Sequence, residues 1–225
     1  MFSPTTPETS YRVRRSDRAR RVRVSVDLER GVEVVLPRRS PESAAAAAVV
    51  QLGPWIERRL AETREVRATL VARGDTVPYL GTSLALSYEP GRSRVHRRGD
   101  VLLVPAGDDD ARRALERWFR RAARAEIAPR LEAAAAALGV GYGSLTIRNQ
   151  RTRWGSCSAR GALSFNWRLL LAPEPVLDYV VWHEACHLCV MDHSPSFWSL
   201  VREHCPGYEE PRRWLRRQGP TLVVL

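Results

Sequence analysis

Apolar side chains recur at every second position in several short runs of the first 105 residues. Valine occupies alternate positions from 22 to 26, and apolar residues alternate again from 32 to 36. A polar segment ending in Gly31 separates the two runs, so the pattern predicts two strands joined as a hairpin. Further strand-like runs lie within residues 76–105 and are separated by Pro-Gly and Arg-Gly turn sequences.

Helices are predicted between and after these strands. An Ala-rich helix opens after Ser40, and a second helix runs from about Trp55 to Ala72, because Gly53–Pro54 interrupts the pattern. A long helix begins with three aspartates at 108–110, which favour the positive end of the helix dipole, and ends near Gly139. Pro129 is expected to kink or split it.

The last eighty residues combine strands and helices. Strands are predicted at 145–149 and within 153–166, where the chain turns at 159–161. From Pro173 onward the chain is predicted to be helical, with breaks near 193–195 and 206–207. The fold class is therefore α+β. We predict a β-rich N-terminal part with two helices over 1–105 and a catalytic part over 106–225, which can pack as one unit.

Charge and apolar content limit the classes of partner. The net charge is +11, and all 36 basic residues are arginine. A positive field favours anionic partners such as nucleic acid, nucleotides or acidic lipid, although a solvated basic surface explains the charge equally well. The chain has neither an apolar signal core near its start nor an apolar run of about 18 residues. These features predict a cytoplasmic protein without a membrane partner.

The residues with the clearest chemistry form the sequence His183-Glu184-Ala185-Cys186-His187, which follows a largely apolar run. Residues four apart share one face of a helix, so both imidazoles can reach one metal ion. Glu184 lies about 100° around the helix from His183 and can address a metal-bound water without being a ligand. A catalytic zinc ion takes three protein ligands and keeps one open position.

A third imidazole follows after five intervening residues. His193 lies at a predicted helix break before Ser194–Pro195, where the chain can turn back toward the first two histidines. We therefore predict one zinc ion on His183, His187 and His193, with Glu184 as the catalytic acid and base. Cys186 and Cys189 have the spacing of a thiolate or redox site, but they lie in a helical segment, and all four cysteines are interpreted as reduced core residues.

Several motifs in the second half of the chain together resemble one protein family. They comprise Arg153-Trp154-Gly155-Ser156-Cys157-Ser158, Leu163–Leu169, Asp178–Leu188 and His193-Ser194-Pro195-Ser196-Phe197-Trp198. This ordered set resembles the YgjP-like family, which is grouped with SprT-like and related zincin metallopeptidases. The resemblance implies a zincin fold in which the three histidines bind zinc and Glu184 is the catalytic residue. Ala185 departs from the bulkier Leu that is common there, for which we expect a change in packing only.

Substrate contacts are predicted around this motif. The candidate substrate-binding residues are Arg153, Trp154, Ser156, Arg168 and Tyr208. Resemblance to zincins suggests that 153–158 form an edge strand on which an extended peptide can add, with a buried strand as the alternative. Tyr208 and His204 are candidates for the second donor to a developing oxyanion, and Asp178 and Asp192 for orienting an imidazole.

Three functions stay open from the sequence. The first is a zinc-dependent metallopeptidase in which Glu184 activates a zinc-bound water. The second is a nucleoside triphosphate pyrophosphatase or other phosphoanhydride hydrolase at the same metal site, because Arg148, Arg151, Arg153 and Arg168 suit phosphate oxygens. The third is a nucleic-acid-associated SprT-like protease or binding module, which the basic charge favours. Two tryptophans, Trp154 and Trp167, suit stacking on bases, although core positions explain both of them better.

Overall fold

The computed structural model describes residues 10–27, 31–150 and 153–224. The chain folds into two compact units, residues 1–72 and residues 73–225. No helix among the described residues is long and apolar enough to cross a membrane.

The first unit is built on a three-stranded sheet. Its strands are β1 (Tyr11–Ser16), β2 (Arg23–Asp27) and β3 (Gly31–Pro37), in the order β1-β3-β2. The antiparallel pairing of β2 with β3 confirms the two strands of the predicted hairpin, whose turn at 28–30 lies outside the described residues. The parallel strand β1 was not predicted, because its arginine side chains are exposed and backbone pairing with β3 holds it in place.

Two helices complete this unit. α1 (Ser43–Gln51) packs its buried Ala45 against Val34 and Leu36 of the sheet. α2 (Gly53–Arg73) begins directly at the Gly-Pro pair that was predicted to separate the two helices. Proline suits this position because its missing N–H would have no partner in the first turn of a helix.

The second unit contains a four-stranded sheet and a long helix. The strands are β4 (Thr76–Tyr79), β5 (Thr82–Glu89), β6 (His96–Arg98) and β7 (Val101–Pro105), in the order β4-β5-β7-β6. Alternate side chains on β5 and β7, such as Leu84 and Leu102, are completely buried. α3 (Asp108–Ala137) shares their hydrophobic core through Leu115 and Phe119.

This shared core bears on the predicted organisation of the chain. The strands within 76–105 belong to the second unit, because they pack in one core with α3. The boundary of the compact units therefore falls between residues 72 and 73, whereas the sequence placed a domain division at 105/106, which stays a prediction. α3 also runs as one helix through Pro129, so the split that was allowed for there does not occur.

A second sheet and three short helices form the rest of this unit. The strands β8 (Ser144–Arg148), β9 (Gly155–Cys157) and β10 (Ala162–Asn166) are ordered β8-β10-β9. A 3-10 helix (Trp167–Leu171) connects them to α4 (Glu174–Cys186), which is followed by α5 (Pro195–His204) and α6 (Glu209–Gln218). Leu80 donates its N–H to the carbonyl of Leu170 at 2.8 Å, which ties the four-stranded sheet to this region.

One arginine links α3 to α4 through several carboxylates. Arg130 donates to Asp178 Oδ1 at 2.9 Å and to Glu126 Oε2 at 2.7 Å, and it also pairs with Glu174. Tyr79 donates its hydroxyl to the same Glu126 at 3.2 Å. The network orients α4, which carries His183 and ends directly before His187.

We expect Arg130→Ala to lower the free energy of unfolding by about 1–2 kcal/mol, because it leaves the carboxylates of Asp178 and Glu126 without their cation. Urea denaturation of both proteins measures the difference. Arg113→Ala is the control, since the one described ion pair of Arg113 joins it to the exposed Asp110 in the same helix, and we expect it to cost under about 0.5 kcal/mol. Equal losses in the two variants would contradict a special role for the network.

Candidate metal centre

The helix that carries the motif is buried on most of its surface. α4 places Val176, Leu177, Tyr179, Val180, Val181, Glu184, Ala185 and Cys186 in the interior. A helix that is apolar on most sides is held by the surrounding core, so its side chains have fixed positions. His187 directly follows α4 and still has helical backbone angles, so the four-residue spacing from His183 is preserved.

The structure brings the three predicted histidines together. One ring nitrogen from each of His183, His187 and His193 lies within 4.8 Å of the others. This is the one group of three or more His, Cys, Asp or Glu ligands that the described residues contain. The Nε2 atoms of His183 and His193 are 3.1 Å apart. Two nitrogens bound to one tetrahedral zinc ion are about 3.3 Å apart, because each Zn–N bond is about 2.0–2.1 Å.

Neighbouring groups determine the protonation of the His187 and His183 rings. The Nδ1–H of His187 donates to the carbonyl of Val190 at 3.0 Å, which leaves the Nε2 lone pair free to bind a metal. The ring of Phe197, which is completely buried, stacks on His187 with centroids 4.4 Å apart. Burial, reinforced by His187, His193 and Arg212, lowers the pKa of His183 to about 3. A neutral imidazole is the form that binds metal ions.

Two predicted partners of the imidazoles have other roles. Asp178 accepts from Arg130, and Asp192 Oδ1 accepts from the backbone N–H of Ser194 at 3.0 Å, at the start of α5. Neither carboxylate has a described hydrogen bond to a ligand ring, so the suggestion that one of them orients an imidazole stays a prediction. The described partner of His187 is a backbone carbonyl, that of Val190, and sequence motifs carry no signal for such a partner.

Glu184 lies beneath the strand β9. Its side chain is buried, and burial raises its pKa to about 7. The positive charge of nearby Arg153 has the smaller, opposite effect of lowering this pKa. A Cβ atom at Gly155 would lie 2.5 Å from Glu184 Cγ and 2.6 Å from its Oε1. Only glycine leaves room for the carboxylate at this position. Sequence reasoning missed this role, although Gly155 was part of the motif that suggested the family.

The predicted substrate-binding residues divide into two groups. Arg153 and Tyr208 lie near the site. The charge of Arg153 lowers the pKa of the Glu184 carboxyl group, and Tyr208 stacks on Trp198 with ring centroids 5.3 Å apart. Ser156, Trp154 and Arg168 have other contacts. The hydroxyl of Ser156 bonds to that of Ser164 at 2.8 Å, Trp154 packs against Gly219, and Arg168 lies over the ring of Trp167.

An aromatic wall of Trp198, Tyr208 and Tyr179 borders the histidines. The ring of Trp198 is 5.7 Å from His193 and 5.8 Å from His183. Tyr208 stacks between Trp198 and Tyr179. Trp182 and His204 form a separate stack at 5.0 Å, so His204 is engaged by another ring. Its role as an oxyanion donor therefore has no support in the described contacts.

The cysteines of the C-x-x-C sequence differ in their environments. Cys186 is buried and Cys189 is exposed, and all four cysteines are free thiols. Burial, with smaller effects of Cys189 and Cys205, raises the pKa of Cys186 to about 12, so this thiol stays protonated. The free thiols agree with the interpretation of the cysteines as reduced residues. The interpretation as core residues holds for Cys186 but was wrong for Cys189, which is exposed because it lies beyond the end of α4.

Residues 20–218 match the YgjP-like family, which is described as a metallopeptidase domain. The chain belongs to the YgjP-like family. Two solved structures are also similar. They are the metallopeptidase zymogens abylysin of Pyrococcus abyssi, with 26% identity and a TM-score of 0.38, and jannalysin of Methanocaldococcus jannaschii, with 17% identity and a TM-score of 0.37. Each match covers 41% of this chain and 95% of the other. No curated protein matches the chain.

Membership of the YgjP-like family agrees with the chemistry of the histidine cluster. A metallopeptidase domain needs a divalent metal ion, and the three ring nitrogens together with the adjacent buried carboxylate fit one. The mixed α and β architecture is likewise consistent with a metallopeptidase fold.

Proposed function

We propose that this YgjP-like protein is a zinc-dependent metallopeptidase with Glu184 as its general base and acid. The observation that carries the proposal is the convergence of three imidazole nitrogens next to a buried carboxylate on the same helix. His183, His187 and His193 would hold the ion. When bound, it would supply a Lewis acid that polarises the scissile carbonyl group and favours deprotonation of water.

Glu184 would move the proton in this reaction. Its elevated pKa, about 7, lets the carboxylate accept a proton from the attacking water and then release it to the leaving amine. The close fit against Gly155 limits the positions that its carboxyl group can take. The Tyr208 hydroxyl is our candidate for the second donor to the developing oxyanion.

The strand β9 would bind the peptide substrate by backbone pairing. It lies at the edge of its sheet and pairs only with β10 among the described strands. Trp154 and Ser158 bond to the backbone of β10. Because bonded positions alternate in an antiparallel pair, the N–H and C=O groups of Gly155 and Cys157 point to the open edge. An extended peptide added there would lie beside Glu184.

Turnover of casein by the wild-type protein tests this proposal, with a nucleoside triphosphate assayed in parallel. We expect casein fragments to appear and to disappear when the metal is chelated. Release of phosphate or pyrophosphate with intact casein would replace the peptidase proposal by the phosphoanhydride one. The observation that favours this second candidate is the position of two arginines, Arg153 and Arg212, near the histidines and Glu184.

Gly155→Ala is expected to reduce the hydrolytic rate about a hundredfold, because a methyl group would displace the Glu184 carboxylate by about 1 Å. Steady-state kinetics measure the loss, and metal content is expected to stay unchanged. The matched control is Gly141→Ala, since a Cβ there meets no atom within 4 Å. A Gly155→Ala protein as active as the control would show that Glu184 needs no such clearance.

Association with nucleic acid stays a prediction. Its strongest support is the concentration of charge in residues 11–23, which contain seven arginines and one aspartate. Four of these arginines line a surface cavity of about 430 Å³ in the first unit: Arg18, Arg20, Arg21 and Arg23. Arginine side chains around a concave surface suit phosphate groups.

A further inference from the structure

Arg212 lies on the aromatic wall of the candidate metal centre. It is a half-buried residue in the first turns of α6, and its guanidinium carbon is 4.3 Å from the centroid of the Trp198 ring. The same tryptophan ring lies 5.7 Å from His193 and 5.8 Å from His183. The guanidinium and two of the three histidines therefore contact the same indole ring.

Among the described residues, no acidic side chain pairs with Arg212. No described carboxylate lies within 4.0 Å of its guanidinium, although α6 begins with Glu209 and Glu210. Glu209 instead faces Arg202 at 3.8 Å, the other arginine on this wall, which lies over Tyr208.

Stacking on an indole leaves the N–H groups of a guanidinium free at its edge. These donors match the oxygen pairs of carboxylates and phosphates, and the stack limits the conformations that the side chain would otherwise lose on binding. A cation beside a metal site attracts anionic ligands and has no such effect on neutral ones. The arrangement is therefore suited to an anionic group on the substrate.

We propose that Arg212 is a specificity residue that binds an oxyanion group of the substrate, namely a carboxylate of a peptide or a phosphate of a nucleotide. This inference rests on the proposed hydrolytic site but not on which bond is cleaved there. A peptide with a free carboxyl group near the scissile bond would bind more tightly than the same peptide as its amide.

Binding by the inactive Glu184→Gln protein tests the inference without turnover. The probes are a fluorescent peptide with a free C-terminal carboxylate, the same peptide with internal aspartate and an amidated C-terminus, a fully amidated neutral peptide, and a fluorescent nucleoside triphosphate. Anisotropy gives the Kd of each probe in the Glu184→Gln background, with Arg212→Gln or with Arg213→Gln added. Arg213 is exposed on the same helix and provides a control with the same change in charge.

Arg212→Gln is expected to weaken binding of an anionic probe about tenfold to a hundredfold, the range for a charge-assisted hydrogen bond. Binding of the neutral peptide should not change, and Arg213→Gln should have little effect. The probe that loses affinity identifies the source of the oxyanion. Loss on the nucleotide alone would support the inference with a phosphate as the oxyanion, and the casein assay would still decide the peptidase proposal. Equal losses for charged and neutral probes, or no loss for any anionic probe, would overturn it.

Discussion

Replacing His187 by alanine is expected to remove the metal ion and, with it, the hydrolytic activity. His187 is buried, its Nδ1–H donates to the Val190 carbonyl, and Phe197 stacks on its ring. The imidazole is therefore fixed in orientation before a metal binds. Losing even an outer partner of a ligand costs about 10–100-fold in metal affinity, so losing the ligand itself should cost at least about a hundredfold.

Chelator competition measures this affinity for the wild type and for His187→Ala. The matched control is His204→Ala, because His204 is a half-buried histidine that stacks on Trp182 and is not part of the cluster. We expect the control to keep its metal and its activity. If His187→Ala bound the metal as tightly as the wild type, the cluster could not be the site.

Replacing Glu184 by glutamine should abolish activity while the metal stays bound. Glutamine has nearly the same shape as glutamate, so it can occupy the space beneath Gly155, but its amide cannot accept the proton of water. General acid and base catalysis contributes about 10²–10⁴-fold to rates, and we expect a loss of that size in kcat. The value of kcat for casein or for the nucleotide measures the loss of activity, and the metal content of the protein shows whether the ion is retained.

Loss of activity with retention of the metal is the combination expected if Glu184 transfers protons and is not a metal ligand. Glu210→Gln, an exposed change on α6, serves as the control and should leave both properties unchanged. A Glu184→Gln protein that lost its metal would mean that Glu184 is a ligand. One that kept full activity would require another base.

The histidine cluster could be predicted from the sequence because it depends on two features of neighbouring residues. The period of an α-helix brings His183 and His187 to one face, and the break before Pro195 lets His193 return toward them. The mixed architecture and the β2–β3 pairing were likewise readable from alternating apolar residues. These features depend on the backbone geometry of neighbouring residues, which sequence patterns record directly.

The features that could not be predicted depend on contacts between distant parts of the chain. Gly155 is 29 positions before Glu184 in the chain, and nothing in either segment alone shows that one must leave room for the other. Arg212 is one of four arginines on α6, and only its stacking on Trp198 distinguishes it from the others. The strand β1 has apolar residues only at Tyr11 and Val13, which is too short a pattern to predict a strand, and backbone pairing with β3 holds it in place.

The central claim is that this chain binds one zinc ion, and the most direct test is the metal content of the wild-type protein. The protein would be purified gently and without chelators, and its metals quantified by inductively coupled plasma mass spectrometry. We predict close to one zinc ion per chain, retained after dialysis. A protein that is folded and free of metal under these conditions, and that takes up none when zinc is added, would contradict the account.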